Sequence, residues 1–261
     1  SKDEITHLVT VSCTGLSAPG TDLQIMELMD LKQDIMRTSV NFMGCYAAVH
    51  ALKQANDIVK SNPKAKVLIV SVELCTLHFQ KVNNHENHTA NLLFADGAAA
   101  ALIVSDEEAK ENNWHGFKIE SFYSTLVYQG KTDMAWHLTS SGFLMSLSAY
   151  IPALIAQDFK SFFESSLQEA QLSKTQIKQW AIHPGGRKIL EVVAKAMNLQ
   201  NDDLSYSYEV LNQYGNMSSP TILFVLKSIM EAPDFETAEG YTYGAAFGPG
   251  LTLESVVLKN V

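Results

Sequence analysis

The segment that most constrains this chain is Lys66–Glu73, KVLIVSVE. Both alternating positions are apolar, so neither face can be turned to water. A strand of that kind belongs in the middle of a parallel sheet covered by helices on both sides. Its surroundings agree. Thr6–Cys13 reads as a strand, and Thr14–Gly20 as a loop. Thr21 or Asp22 caps a helix running through Leu31. Thr38–Met43 reads as a strand and Cys45 to about Lys60 as a helix stopped by Asn62-Pro63. Strand, helix, strand, helix, strand predicts βαβ crossovers.

Further on, His78–Thr89 reads as a polar loop, and Asn91–Val104 as two apolar runs broken by an Asp96-Gly97 turn. Asp106–Asn113 is a charged linker and the best boundary candidate. It divides the chain into residues 1–110, carrying Cys45, and 111–261, carrying His183 and Asn216. In the second half Phe117–Tyr128 is strand-like and Trp136–Thr139 a short edge. Phe143 to about Leu172 reads as a helix with Pro152 near its start or at a kink. Gln179–His183 is a short buried strand, and Pro184-Gly185-Gly186 turns it into a helix over Arg187–Met197. Ser205–Tyr214 and Ser218–Glu231 are helices, and Tyr241–Phe247 and Leu251–Lys259 strands. Two halves of similar order suggest an internally duplicated α/β protein of layered sheets and helices.

With 261 residues, 46% of them apolar, a sizeable core is available. The net charge of -9 argues against nucleic acid or an anionic membrane surface as a default partner. Three cysteines make no disulfide framework and form no CxxC pair, which fits a reducing, cytoplasmic compartment. Ser1-Lys2-Asp3-Glu4 lacks a signal-peptide core, and the longest apolar run, Gly97–Val104, is too short to span a bilayer. The missing initial Met and the early first strand read as a fragment or processed piece.

Cys45 falls at a strand-to-helix turn, where orphan N–H groups and the helix dipole favour a thiolate. The alternative is a buried structural thiol. His183 and Asn216 also stand at strand or helix ends with Gly beside them or two residues away. A Cys nucleophile needs an imidazole to manage its proton and a neutral donor for developing negative charge, and these residue types suit those roles. Bland readings remain for both: a core His bonded to backbone, and an Asn capping a helix. His78, His85 and His88 invite a metal, but no carboxylate or Cys completes a set. The order Cys, His, Asn also fits a papain-like protease. The absent Cys-Gly-(Ser/Ala)-Cys-(Trp/Tyr) signature, the few thiols and the buried parallel strands argue against it.

The motifs go further. The chain resembles the type III polyketide synthases, the chalcone-synthase-like family of the thiolase fold. The matching blocks are Thr6-His7-Leu8 with Gly15 and Pro19-Gly20; Gly44-Cys45; Leu93 to Ala100 (LFADGAAA); Ile182 to Gly186 (IHPGG); Tyr214 to Ser219 (YGNMSS); and Phe247 to Thr252 (FGPGLT). The ketoacyl-carrier-protein synthase III group shares the Cys-His-Asn set, but His-Pro-Gly-Gly and Gly-Asn-Met-Ser-Ser look like the polyketide branch. The resemblance implies an α-β-α-β-α sandwich of duplicated halves whose N-terminal segment, with basic residues for the CoA phosphates, lies outside this chain. It implies Cys45 as acyl acceptor, His183 as the partner of its thiolate, and His183 with Asn216 as the oxyanion site for the malonyl enolate. Phe94 matches a gatekeeping aromatic, and Met145 falls where plant members place a second. Ala18 replaces a Met that reaches into the partner's cavity. Cys13, Cys75 and His78 replace cavity-lining Thr residues, while Ser218 is retained; Gly185, Gly186 and Phe247 complete the implied lining. His78 would narrow one wall and Ala18 open another, and a Cys13 lining is more like microbial long-chain members. Arg187, with Lys188, is the remaining basic pair for CoA. The implied activity is iterative decarboxylative condensation of malonyl-CoA onto an acyl-CoA starter by a homodimer, with no metal or prosthetic group. A catalytically silent dimer partner and a Cys hydrolase are the alternatives.

Overall fold

The computed structural model describes residues 1–81, 83, 85–139 and 142–261, with the side chains of residues 85, 86, 138, 142 and 201 outside that set. Two four-stranded sheets organise the chain. The first contains β1 (His7–Ser12), β2 (Met36–Asn41), β3 (Val67–Leu74) and β4 (Asp96–Ile103), ordered β2-β1-β3-β4. β1 is parallel to both β2 and β3, and β4 is antiparallel to β3. The second contains β5 (Phe117–Leu126), β8 (Ile177–Ile182), β9 (Tyr241–Gly248) and β10 (Thr252–Asn260), ordered β5-β10-β9-β8. β8 is parallel to β9, and β10 is antiparallel to both neighbours. Thus β1-β3-β4 and β8-β9-β10 repeat one pattern, parallel then antiparallel. β2 and β5 add edges on opposite sides and break the equivalence.

The strands alternate their side chains between two cores, and this creates the layers. Val9 and Val11 of β1 face inward, while Leu8 packs outward with Met26 and Leu31 beside α1 (Thr21–Met29). On β10, Val256 turns to the central core and Val257 to the opposite one. Between the sheets lie α2 (Ala47–Ser61) and α8 (Thr221–Met230). Ala47, Ala48, Ala51 and Ala55 of α2 are wholly buried, and their small side chains let a helix sit between two sheets. The far face of the second sheet is covered by α5 (Ile151–Ala170) and α6 (Arg187–Met197), through Phe159, Phe163, Leu190 and Val193. The order is α1, sheet, α2 with α8, sheet, α5 with α6, the sandwich expected from the resemblance.

Several elements differ from the sequence reading. Phe143–Leu147 is not helical: Gly142–Leu147 is β7, paired antiparallel with β6 (Met134–Thr139). A short apolar run carries no period that separates strand from helix, and here cross-strand pairing decides. Pro152 stands in the first turn of α5, where its missing N–H costs nothing. The polar stretch before Phe94 contains α3 (His85–Leu93), and Asp96-Gly97 opens β4 rather than turning between two strands. Asp106–Glu111 is a short helix, α4, capped by Ser105. Neither Thr21 nor Asp22 caps α1; Gly20 holds that place without a side-chain bond. The helix read over Ser205–Tyr214 is present with those bounds as α7, while the one read over Ser218–Glu231 is shortened to α8, Thr221–Met230.

Candidate active site

The parallel strands end on one side of the molecule, and their carboxyl ends deliver the candidate residues. Cys13 follows β1, Cys75 follows β3, and His183 follows β8. Cys45 lies in a short 3-10 turn, Gly44–Tyr46, between β2 and α2. The turn depends on Gly44. Its φ is +81°, and a Cβ there would stand 2.1 Å from Cδ of Pro249. The Gly44 N–H donates to Cys13 Sγ at 3.0 Å, which fixes the turn against β1.

Asn216 is held from both directions. Its N–H donates to the Leu93 carbonyl at 3.0 Å, and its own carbonyl accepts from Ala95 N–H at 2.9 Å. Its Oδ1 accepts from Ser218 N–H at 2.9 Å, which sets the amide's orientation, and Nδ2 donates to the Gly185 carbonyl at 3.4 Å. One Nδ2 proton remains to aim elsewhere. Ser218 Oγ lies 3.6 Å from Cys45 Sγ as the acceptor of its S–H. His183 donates its backbone N–H to Ala245, and its side chain is almost wholly enclosed. Among the described residues neither ring nitrogen has a partner. A buried imidazole left open at both nitrogens contradicts a core His satisfied by backbone.

Cys45, His183 and Asn216 border a single cavity of about 640 Å³. The same cavity is lined by Phe94, Cys13, Cys75, His78, Met145, Gly185, Gly186, Ser218 and Phe247, with Arg187 and Lys188 also on its wall. Arg187 is exposed and pairs with Glu191 at 2.9 Å.

The electrostatics correct one expectation. Burial pushes the Cys45 thiol up to about 11, and the Glu73 charge adds to this; bonds to Ser218 and Asn216 only partly offset them. The helix start does not overcome desolvation here. Burial alone takes His183 down to about 3. Burial thus works against the charged form of both groups. Cys13 and Cys75 are likewise raised, first by burial and then by Glu73.

Glu73 was not among the residues singled out by sequence. It is fully buried at the end of β3 and accepts from Cys13 N–H at 2.9 Å, Thr14 Oγ1 at 2.8 Å and Ser219 Oγ at 2.5 Å. Burial raises its pKa against these bonds. It ties the loop after β1 to the Ser218-Ser219 turn beneath Cys45. A carboxylate closing an apolar strand was the only available signal. Trp136 was also missed as a site residue; its Nε1 donates to the Cys13 carbonyl at 3.0 Å. Among the described residues no group of three His, Cys, Asp or Glu is placed to hold a metal; the His85 side chain lies outside them.

Residues 1–107 match the family Chalcone and stilbene synthases, N-terminal domain, and residues 118–261 match its C-terminal domain. The chain belongs to the chalcone and stilbene synthase family. It is 32% identical over 265 residues to Probable polyketide synthase 1 of Dictyostelium discoideum, an alignment covering 100% of this chain and 8% of that protein. The C-terminal type III polyketide synthase domain of Steely1, a type I/III hybrid from Dictyostelium, superposes with a TM-score of 0.91 at 28% identity, over 100% of this chain and 72% of that one. PKS-I from the brown alga Ectocarpus siliculosus gives 0.92 at 29% identity, over 99% and 69%. Membership in this family carries the type III polyketide synthase fold with it, and no described helix is long and apolar enough to cross a membrane.

Proposed function

We propose that this chain carries the condensing site of a type III polyketide synthase, extending an acyl starter with malonyl units at Cys45. The observation that carries the reading is the buried His183 imidazole, open at both nitrogens, on the same cavity as the Cys45 thiol and the Asn216 amide.

Acylation begins with a neutral thiol, so His183 takes the Sγ proton as sulfur attacks the thioester carbonyl. The bond from that carbon to the CoA sulfur breaks, and His183 returns the proton to the departing CoA. A malonyl thioester then loses CO2. The electrons of the broken carbon–carbon bond move to the thioester oxygen, where the His183 N–H and the Asn216 Nδ2 proton on the Cys45 side stabilise the enolate. The enolate carbon attacks the acyl group on Cys45, a carbon–carbon bond forms, and the Cys45 sulfur leaves. No step calls for a metal or prosthetic group. Arg187 and Lys188 hold the CoA phosphates at the cavity mouth, and the working unit is a cytoplasmic homodimer.

Incubation with labelled malonyl-CoA and a set of acyl-CoA starters tests this. Labelled CO2 and a product with a new carbon–carbon bond are expected, and Cys45→Ala should abolish both condensation and the acyl adduct seen by intact mass. A Cys45 inert to every thioester would mark a silent partner, and free acid without condensation a hydrolase.

A further inference from the structure

We infer that His78 is the base that closes a ring in the finished chain: its Nδ1 takes a proton from a methylene of the bound poly-β-keto chain, and that carbon attacks a ketone of the same chain. The inference rests on the condensing reading above and concerns the step after the last extension.

Two imidazoles border the cavity, and they are held differently. His183 acts on the thioester with Cys45 and Asn216, and the condensing cycle makes no use of His78. His78 closes the 3-10 turn Cys75–His78 that follows β3. Its Nε2 is 2.6 Å from the Thr14 carbonyl. A carbonyl oxygen only accepts, so Nε2 carries the proton, and Nδ1 of the neutral ring keeps its lone pair. Among the described residues no partner meets Nδ1, and it is not one of the enclosed unpartnered atoms. A ring nitrogen that is neither bonded nor shut in faces open space, and the cavity is the space that His78 borders.

The ring is also fixed in place. Trp136 and Phe143 stack with planes 9° apart, and His78 abuts both edge-on with centroids 5.3 and 5.1 Å away. The Thr14 carbonyl is itself anchored. Thr14 N–H donates to Ser12 Oγ at 3.4 Å; its Oγ1 donates to Glu73 at 2.8 Å and accepts from Leu74 N–H at 2.8 Å. A wall residue needs only volume at this place. A base needs one nitrogen locked as donor, the other left bare and the ring immobilised, and His78 has all three.

The reaction is an intramolecular aldol addition. A methylene between two carbonyls is the most acidic carbon of such a chain. Its C–H bond breaks, the proton goes to Nδ1, and the electron pair enters the enolate. The enolate carbon bonds to a ketone carbon further along the chain, and the carbonyl electrons move to oxygen. That alkoxide takes the proton back from Nδ1, so the imidazole is regenerated and no other reactant is consumed. Without the base, the chain follows a route that needs only its own enol. The enol oxygen attacks the thioester carbonyl, the sulfur leaves with the enol proton, and an α-pyrone results.

The test is the ratio of carbocyclic products to α-pyrone, read by mass spectrometry and NMR after incubation with malonyl-CoA and acetyl-, hexanoyl- or benzoyl-CoA. A slower condensation in a variant does not by itself move this ratio. The parent should release carbocycles with at least one of these starters. His78→Gln keeps a donor for the Thr14 carbonyl but has no basic nitrogen, and its ratio should fall about 100-fold, at the lower end of what a positioned base contributes. His78→Ala should fall as far. Free imidazole, small beside a cavity of about 640 Å³, should restore part of the ratio in His78→Ala and leave the parent unchanged. An unchanged ratio in His78→Gln, or a His78→Ala ratio that imidazole does not raise, would overturn the inference. So would a parent that consumes malonyl-CoA and makes only pyrone, though the condensing reading would then stand. A parent that neither decarboxylates malonyl-CoA nor forms any product would remove that reading, and the inference with it.

Discussion

Gly44→Ala places a single methyl group at the point where the turn carrying Cys45 meets the second sheet. Two costs follow from the geometry. The φ of +81° is a left-handed conformation that an L-residue adopts at a cost of about 1–2 kcal/mol. The added Cβ would lie 2.1 Å from Cδ and 2.8 Å from Cγ of Pro249, and a proline ring cannot rotate away. Relief must come from backbone movement, typically about 1–3 kcal/mol for an overpacked core site. The sum is about 2–5 kcal/mol, a large part of the roughly 5–15 kcal/mol that holds a domain together. The same shift would disturb the Gly44–Cys13 bond and move Cys45 relative to Ser218. Urea denaturation reads the first effect and intact-mass acylation kinetics the second. Gly185→Ala is the control for stability: its added Cβ would meet His183 Cδ2 at 3.6 Å, His183 Nε2 at 3.7 Å and Ile189 Cγ1 at 3.8 Å, all ordinary contacts, and its stability should stay within about 1 kcal/mol of the parent. A Gly44→Ala protein as stable as the Gly185→Ala protein would refute the claim that this glycine sets the turn.

Phe163→Ala should cost about 3–5 kcal/mol in denaturant, because Phe163 is enclosed between Trp180 and Tyr243 with ring centroids 5.2 and 4.8 Å away. Arg187→Ala should raise KM for malonyl-CoA about fivefold, as expected for one exposed charge contact, and leave a thioester lacking the nucleotide unaffected; equal effects on both would remove Arg187 from the CoA site. His183 makes stability depend on acid. Its folded value near 3 lies below the ordinary 6.5, so the unfolded chain takes up a proton that the folded one refuses. Stability should fall as pH drops from 6.5 toward 3, by up to about 1.4 kcal/mol per unit from this group, and His183→Gln should flatten that slope. A slope unchanged by the substitution would mean that the folded imidazole carries the proton after all.

What could be read from the sequence and what could not divide along physical lines. A strand covered on both faces, such as Val67–Leu74, announces itself because both alternating sets of positions are mostly apolar. The helix Arg187–Met197 was legible at both ends, because the Gly pair before it and Asn198 in left-handed conformation after it are local events. The hairpin β6–β7 was not legible: Phe143, Met145 and Leu147 acquire their strand partners from Met134–Leu138 only after the fold forms. The site shows the same division. Cys45, His183 and Asn216 stood out because each chemical group sits near a glycine that its turn requires. The charge state of Cys45 did not, since a helix start is visible in sequence but the burial that outweighs it, and the Glu73 charge that adds to it, come from parts of the chain distant from Cys45. Glu73 is the clearest case. Its three donors come from residues 13, 14 and 219, so nothing adjacent to it foretells that a buried carboxylate can be satisfied there. Desolvation, unlike capping or periodicity, belongs to the assembled structure, and the reactivity of this thiol depends on it.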